Sequence, residues 1–383
     1  MSPQFTTRAG RRAVTACALA ALLSLGVLAG CGSSDETPSA ANGATAAGST
    51  TAGSTTTGGD GGAGAAQAVA AASKPIAGWD GFGDPVSVER GKRIVAIECS
   101  ALGVGCVQGG RAVEEAAKAL GWSADVVDGK GDPTVWNAAI HNAIASKADG
   151  IVLLAISPDL VKDGVASARA AGIPVVAALV GPRADGLVAT DPQEGGEIMA
   201  SFLADDSGGK ADVLVLNDAE FALTDVRNRA MVASLGEQCP DCKTKTADFT
   251  FATMPQELSG QVTAALQADP AIDYVVAPFD AAVAFVRQGV QQAGRPVKIA
   301  SFEGDPPTMR QVGDGTLVAD LAAPNTWVGW QAVDDLARLL ARAPVGETPV
   351  PQRLFTSENK ADAAGWDGDV DFRSEYRRRW GVG

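Results

Sequence analysis

Short apolar runs alternate with helical patterns from Lys92 onward, and this alternation limits the possible folds more than any other feature of the sequence. The first run is RIVAI at residues 93–97. After it, apolar residues recur at the spacing of one helix face: Ala112, Val113, Ala116, Ala117 and Leu120. Gly121 then marks the end of that helix. Strands that are apolar throughout and separated by helices predict parallel sheets covered by helices on both faces.

The alternation occurs twice along the chain. One set of strands is predicted at residues 93–97, 124–127, 151–156, 173–180 and 186–190. A second set is predicted at residues 211–216, 244–251, 272–277, 297–302 and 317–321. Each half has the size of an ordinary domain. The sequence therefore predicts an α/β chain with two doubly wound parallel-sheet domains.

Net charge and composition exclude several classes of function. The 383 residues carry a formal net charge of −14, whereas nucleic-acid binding needs clustered cations that displace the counterions of phosphates. His141 is the one histidine in the sequence, and no nucleophile–base arrangement is visible. We therefore expect a protein that is not an enzyme, binds no nucleic acid and carries no metal or cofactor.

The N-terminus has the pattern of a signal peptide. It begins with three basic residues, Arg8, Arg11 and Arg12. An apolar run over residues 13–28 follows, which is short for a membrane span. The run ends in Leu-Ala-Gly before Cys31, and this motif resembles the lipobox of bacterial lipoproteins, in which the cysteine is diacylated. We expect residues 1–30 to be removed and Cys31 to anchor the protein outside the cytoplasm, the alternative being an ordinary signal peptide with an unrelated cysteine.

The segment that follows the lipobox is poor in residues that could form a core. Residues 31–74 consist mainly of Ser, Thr, Gly and Ala. Such a composition predicts a flexible tether between the membrane and the folded region.

Four cysteines remain besides Cys17 in the signal and the lipobox cysteine, and they form two close pairs: Cys99 with Cys106, and Cys239 with Cys242. In an oxidising compartment this arrangement favours two disulfides. A zinc site that uses all four is an alternative, although the six residues inside the first pair fit zinc poorly. A redox-active pair in Cys-Pro-Asp-Cys is another alternative, although it would need a thioredoxin-like context that the sequence lacks.

Glycines after the first strand raise the possibility of a dinucleotide-binding enzyme. They are Gly103, Gly105 and Gly109, and their spacing differs from G-x-G-x-x-G. The first of them also lies too far beyond the strand, and Cys106 offers another way to fix the loop. We keep this enzyme only as an alternative.

Several segments in order resemble type I periplasmic binding proteins, the ribose- and galactose-type solute receptors of ABC importers. Residues 93–122 resemble their first strand, loop and helix. KADGIVLLAISP at 147–158 and AGIPVV at 171–176 resemble the third and fourth strands, and IASFEGD at 299–305 resembles the strand that carries an acidic ligand contact. The resemblance covers about residues 92–340.

This resemblance implies two lobes that close on a ligand, joined by three crossings. The N-terminal lobe would comprise residues 75–190 and 324–350, and residues 191–323 and 351–383 would form the C-terminal lobe and tail. The hinge would use Asp191, Ala323 and Pro324, with the third crossing before Phe355.

The resemblance also implies the ligand contacts, which should follow the strands. In the first lobe we expect Ser100, Leu102 and Gly103 to contact the ligand. In the second lobe and at the crossing we expect Arg227, Phe249, Phe279, Asp280, Glu303 and Asn325. Arg229 competes with Arg227 for the arginine position, the two phenylalanines could instead be core residues, and Asp280 could instead cap a helix.

The sequence departs from the sugar receptors at several positions that usually bear polar groups. Leu179 and Val180 replace an Asp-Arg pair, Phe279 replaces an asparagine and Ala323 replaces a glutamine. Because buried sugar hydroxyls need hydrogen-bond partners, the expected ligand is either sugar-like or a more apolar solute with few polar groups. The predicted function is a monomeric, membrane-anchored receptor that delivers the solute to an ABC permease. The alternative is a receptor that signals to a membrane sensor protein.

Overall fold

The computed structural model describes residues 60–359 and 365–382. The predicted signal peptide at residues 1–30, the predicted lipidation site Cys31 and the first part of the predicted tether lie outside this range. No helix of the described residues has the length and apolar character needed to cross a bilayer.

Helices and strands alternate through most of the described chain. The helices are α1 (Asp60–Ala72), α2 (Val104–Leu120), α3 (Pro133–Ala145), α4 (Lys162–Ala170), α5 (Pro192–Asp206), α6 (Ala222–Gln238), α7 (Met254–Ala268), α8 (Asp280–Ala293), α9 (Pro306–Gly313), α10 (Asn325–Ala341) and α11 (Phe372–Arg379). The strands are β1 (Arg93–Glu98), β2 (Ser123–Asp128), β3 (Gly150–Leu154), β4 (Val175–Ala178), β5 (Gly186–Val188), β6 (Asp212–Asn217), β7 (Lys243–Asp248), β8 (Tyr274–Val276), β9 (Lys298–Glu303), β10 (Ala319–Ala322) and β11 (Arg353–Thr356).

The strands form two sheets, and each sheet is the centre of one lobe. The first lobe has the order β2-β1-β3-β4-β5, and all its strand pairs are parallel. The second lobe has the order β11-β10-β9-β8-β6-β7, in which only β11 is antiparallel. Central strands such as β3 are buried at every position, as expected for sheets that are covered on both faces.

Parallel pairing brings the carboxyl ends of the strands to one edge of each sheet. In the first lobe, β1 is in register with both neighbours, so that Glu98 lies opposite Asp128 and Leu154. In the second lobe, the end of β9 at Glu303 lies opposite Ala322 of β10. Loops after these strands therefore meet at the same edge, where open α/β sheets bind ligands.

Helix α10 belongs to the first lobe, although it follows the second sheet in the chain. It packs on α2, β4 and β5. A glycine permits the close approach to α2, because a Cβ at Gly329 would lie 2.5 Å from the Cβ of Ala112 and 2.8 Å from the carbonyl oxygen of Gly109. This contact brings the start of α10, at Asn325, next to the first turn of α2.

The tail differs from the prediction that residues 351–383 belong to the second lobe. Strand β11 does extend the second sheet, but α11 returns to the first lobe and packs on α10. The ring of Phe372 stacks on that of Trp327 at 5.3 Å. Trp380 stacks on Trp330 at 5.5 Å. These large apolar side chains draw an otherwise strongly polar helix onto the first lobe.

Part of the predicted flexible tether is a helix, which corrects the boundary of the folded region. Helix α1 packs on α5 of the second lobe. Ala65 is buried there, and Val69 and Ala72 pack against the same apolar cluster. Alanine has the highest helix propensity of all residues, and the spacing from Ala65 to Val69 places both on one face. The alanine-rich composition that suggested a tether therefore also suits a packed helix.

The lobes are joined by more connections than the three that were predicted. In the described part of the chain, three connections follow β5, β10 and α10. A fourth runs from α1 to the segment 79–88, since Trp79 and Phe82 pack on Trp327 of the first lobe. A fifth runs from β11 to α11. A hydrogen bond joins the connection after β5 to the connection after α10. The Gln352 side-chain amide donates it to the carbonyl oxygen of Asp191 at 2.9 Å.

Candidate ligand-binding site between the two lobes

A cavity of about 80 Å³ lies where the carboxyl ends of the two sheets face each other. Both lobes and the crossings contribute to its walls. The lining residues are Cys99, Gly103, Gly105, Cys106, Ala155, Leu179, Val180, Thr190, Phe221, Leu223, Thr224, Arg227, Phe251, Phe279, Ala281, Glu303, Ala323, Asn325 and Val328.

The first-lobe wall is built from apolar groups and a disulfide. Cys99 directly follows β1, and its partner Cys106 lies in the first turn of α2, with their Cα atoms 6.2 Å apart. The bridge closes the loop that contains Gly103. The second pair, Cys239 and Cys242, is also bonded, with Cα atoms 5.3 Å apart, but it does not line the cavity.

Gly105 lies close to two polar groups of the cavity, one at the start of α10 and one at the end of β9. A Cβ at this position would lie 2.9 Å from the Asn325 amide nitrogen and 3.5 Å from Oε2 of Glu303. The absence of a side chain therefore allows α2 to approach both polar groups. The Asn325 amide also lies 3.4 Å from the side-chain oxygen of Gln108.

The second-lobe wall is aromatic. Phe221, Phe251 and Phe279 form a cluster in which every pair of ring centroids is 5.8–5.9 Å apart. The buried carboxyl group of Asp218, in the loop before α6, accepts a hydrogen bond from the backbone N–H of Glu220 at 3.1 Å. Burial raises the pKa of Asp218 to about 7.

Three lining residues have backbone conformations that favour glycine. Ala155 and Leu179 directly follow a strand and Glu303 ends one, and their φ angles are +53°, +69° and +111°. Non-glycine residues in such conformations cost roughly 1–3 kcal/mol and persist where the surrounding structure holds them. Strained residues cluster at functional sites, so the presence of these three around one cavity is typical of a binding site.

Glu303 is the acidic group of the cavity. It ends β9 and is half-buried. Burial raises the pKa of Glu303 to about 8; the Asp305 carboxylate also raises it, and the Arg227 guanidinium opposes the shift. With this pKa, a bound cation that favours the ionised carboxylate would cause Glu303 to lose its proton near neutral pH.

Arg227 is the cationic group of the cavity, and it is only 6% exposed. Its guanidinium lies 3.7 Å from the centroid of the Phe302 ring and donates a hydrogen bond to the carbonyl oxygen of Pro278. Burial lowers the pKa of Arg227 to about 10, and the carboxylates of Glu303 and Asp320 oppose this shift. The side chain therefore stays charged at neutral pH. The competing Arg229 is exposed and forms an ion pair with Asp225 at 2.8 Å.

Three more carboxyl groups lie behind Glu303. Asp280 accepts hydrogen bonds from the Ser301 hydroxyl at 2.6 Å and from the backbone N–H of Asp305 at 2.7 Å. Asp320 accepts one from the backbone N–H of Gly304 at 3.0 Å, and its carboxylate adds to the effect of burial in raising the pKa of Asp280. Burial raises the pKa of Asp305 to about 7 and that of Asp320 to about 6.

Residues 106–344 match the family described as periplasmic binding protein domain. That range is more than half of the 383 residues. The chain belongs to the periplasmic binding protein family.

The relatives are solute-binding proteins. The ribose import binding protein RbsB of Bacillus subtilis (strain 168) is 25% identical over 236 residues, which are 59% of this chain and 75% of the relative. An ABC transporter solute binding protein from Agrobacterium vitis with bound allitol is 26% identical with a TM-score of 0.63, over 70% of this chain and 96% of that one. A carbohydrate transporter from Acidothermus cellulolyticus 11B in complex with myo-inositol is 20% identical with a TM-score of 0.61, over 76% and 99% of the chains.

These findings confirm the predicted family and fold class. Periplasmic binding proteins of this type are solute receptors of ABC transporters that work outside the cytoplasm, and they are not enzymes. The chain is accordingly a ligand-binding receptor of the transport type. Within the described residues, no cluster of three or more His, Cys, Asp or Glu could hold a metal ion.

The cavity brings together about half of the residues that the family resemblance implied. Gly103, Arg227, Phe279, Glu303 and Asn325 line it, as does Ala323 at the crossing. Asp191 instead caps α5, since its carboxylate accepts from the Gln193 N–H at 2.8 Å. Pro324 directly precedes α10 and does not line the cavity.

Other implied contacts lie away from the cavity. Leu102 is 74% exposed, and Ser100 is buried with its hydroxyl accepting the N–H of Leu102. Phe249 is buried in the core beside Phe279, at a ring distance of 5.9 Å. Asp280 uses both carboxylate oxygens inside the second lobe. The bend of the loop after β1 turns Ser100 and Leu102 away from the cavity. Phe249 lies in the apolar core, and Asp280 bonds to buried polar groups of its own lobe.

The family resemblance also missed several lining residues. Phe221 and Phe251 follow the ends of β6 and β7, and Thr224 lies in the first turn of α6. Two aromatic residues shortly after neighbouring parallel strands were a usable signal, because such loops meet at one edge. Thr190 lies at the crossing itself, where no periodic pattern marks it.

Proposed function

We propose that this protein is a monomeric, lipid-anchored receptor on the outer face of the cell membrane that closes on a small solute and delivers it to an ABC permease. Residues 1–30 would be its signal peptide and Cys31 its lipidation site. The signal for anchoring is the Leu-Ala-Gly motif before Cys31. The relatives support the transport role, since they are solute-binding proteins of importers.

The observation that carries the proposal is a cavity whose walls come from both lobes. Gly105 of the first lobe and Glu303 of the second come close enough that an added Cβ would lie 3.5 Å from the carboxylate. A ligand that contacts both sides stabilises the closed arrangement by the difference between its affinities for the closed and open states. We propose that the connections at Asp191 and at Ala323 and Pro324 act as the hinge.

The function is tested by identifying the solute and measuring its uptake. Solute released from denatured, freshly purified protein is identified by mass spectrometry, and its affinity is measured by calorimetric titration. A strain that lacks the protein should take up this labelled solute more slowly, and the restored gene should recover uptake. Unchanged uptake together with a lost transcriptional response would instead indicate a receptor that signals to a membrane sensor protein.

Replacing Cys31 by serine should release the protein from membranes or leave the precursor unprocessed, because the acyl chains attach to the thiol. Membrane fractionation followed by mass measurement of the N-terminal peptide distinguishes these outcomes. Cys17→Ser is the matched control, since that cysteine lies within the predicted signal peptide and should leave anchoring intact. Full membrane retention of a processed, unlipidated Cys31→Ser protein would contradict the anchor.

A further inference from the structure

The charged groups that line the cavity come only from the second lobe. All lining residues of the first lobe are uncharged. Within the described lining, Arg227 and Glu303 are the charged residues. The chemistry of the solute therefore depends on which of these two groups is available to it.

The guanidinium of Arg227 already interacts with other groups of the protein. Its guanidinium stacks on Phe302 and donates to the Pro278 carbonyl oxygen. Carboxyl groups of Asp280 and Asp320 lie close enough to stabilise its charge. An anionic solute would have to compete with these interactions and would meet the same carboxylates.

Glu303 is available to the solute. Its carboxylate interacts with Arg227 through charge, without a hydrogen bond between them. Asp280 on α8, Asp305 before α9 and Asp320 on β10 surround it, and Arg227 on α6 is the cation that faces this group. Four carboxyl groups share one guanidinium, so a positively charged group placed against Glu303 is favoured over a neutral or negative one.

The remaining walls suit an apolar body. The phenyl rings of Phe221, Phe251 and Phe279 form one side, and the Cys99–Cys106 disulfide lies on the other. Phenyl faces attract organic cations as well as apolar rings. A sugar would leave several hydroxyls against these groups without hydrogen-bond partners, and each such loss costs roughly 1–3 kcal/mol.

We infer that the solute of this site is an organic ammonium ion with an apolar, ring-containing body, whose ammonium group donates to Glu303 and whose ring packs on the three phenylalanines. The inference rests on the proposed solute-binding function and names the class of its ligand. In this inference Glu303 alone recognises the charge of the solute, so small molecules that differ in charge can test it.

The test compares 2-phenylethylamine with the neutral 2-phenylethanol, the anionic 3-phenylpropanoate, D-ribose and myo-inositol by calorimetric titration of the purified protein. We expect the amine to bind about tenfold or more tighter than every other probe, which is the range of a charge-assisted hydrogen bond. Near neutral pH its binding should release protons, because Glu303 must ionise from a pKa of about 8. Titrations in buffers of different ionisation enthalpy measure this release.

Glu303→Gln should weaken amine binding about tenfold or more and abolish proton release, while the alcohol keeps its affinity. The matched control is Glu114→Gln, an exposed glutamate on α2, which should change neither. If Glu303→Gln fails to fold, Phe251→Leu serves as a second variant and should weaken amine and alcohol together. Circular dichroism establishes that each variant is folded.

Tighter binding of ribose or inositol than of the amine would overturn this inference and leave the solute-receptor function standing. Undiminished amine binding by a folded Glu303→Gln protein would also overturn it. Failure of every probe to bind, together with no solute released from the purified protein, would overturn both the inference and the proposed function.

Discussion

Replacing Arg338 by methionine is expected to lower the free energy of unfolding by about 3–5 kcal/mol, the range measured when one partner of a buried ion pair is removed. The Arg338 side chain is 5% exposed and its partner Asp334 is fully buried, with an N–O distance of 2.6 Å. The same guanidinium donates to the carbonyl oxygens of Phe82 and Asp84. Without it, the buried Asp334 carboxyl group, whose pKa burial raises, loses its ion-pair partner and keeps the hydrogen bond from the indole N–H of Trp380.

Urea denaturation of the purified protein measures this change. Arg378→Met on α11 is the matched control, because its side chain is 63% exposed and exposed ion pairs contribute only about 0–1 kcal/mol. Adding Asp334→Asn to Arg338→Met should recover part of the loss, since the unpaired charge is then absent. A loss no greater than that of the control would contradict the role of this pair.

Replacing Trp327 by alanine should cost a similar amount, about 3–5 kcal/mol, as for large aromatic residues truncated in protein cores. Trp327 is fully buried. Its ring stacks on Phe82 at 5.6 Å and on Phe372 at 5.3 Å, with Trp79 edge-on at 5.2 Å. Its indole N–H lies 3.2 Å from the hydroxyl oxygen of Tyr376. Truncation therefore removes a group that joins three distant segments of the chain.

Thermal and urea unfolding of Trp327→Ala test this expectation, with Trp327→Phe as the conservative comparison. The phenyl ring keeps part of the stacking, so the loss should be clearly smaller. A loss of less than about 1 kcal/mol for Trp327→Ala would mean that the neighbouring rings close the space, contrary to the tight packing expected of a protein interior.

The sequence was sufficient to predict the central strands of the two sheets because these are continuous apolar runs, whereas the edge strand β7 reads KTKTAD and is mostly exposed. Strand β3 reads GIVLL and is buried at every position, so its place inside a covered sheet follows from composition alone. The packing of helices that contain few apolar residues was harder to predict. Helix α11 reads FRSEYRRR and shows its packing only through the rings that meet Trp327 and Trp330 in three dimensions.

The end of a strand pointed directly to Glu303, whereas Arg227 and Asn325 were implied only by the family resemblance. Glu303 closes β9, and the parallel register then brings it to the cavity edge. Phe249 and Phe251 show the limit of this reasoning, since both follow β7 within a few residues. Phe249 turns into the core, whereas Phe251 lines the cavity. The backbone N–H of Phe249 donates to the carbonyl oxygen of Asn217 at the end of β6, and no local sequence pattern reveals the turn that follows.

The return of α11 to the first lobe has a consequence for the order in which the chain acquires its structure. The core of that lobe includes Ile94 and Val113 but also Phe372, Tyr376 and Trp380. Contacts of such large sequence separation form late and slow folding. The first lobe therefore cannot complete its core until residues 372–380 have left the ribosome. A receptor built this way has an incomplete first-lobe core until its synthesis is nearly finished, which would suit the export that we propose for it.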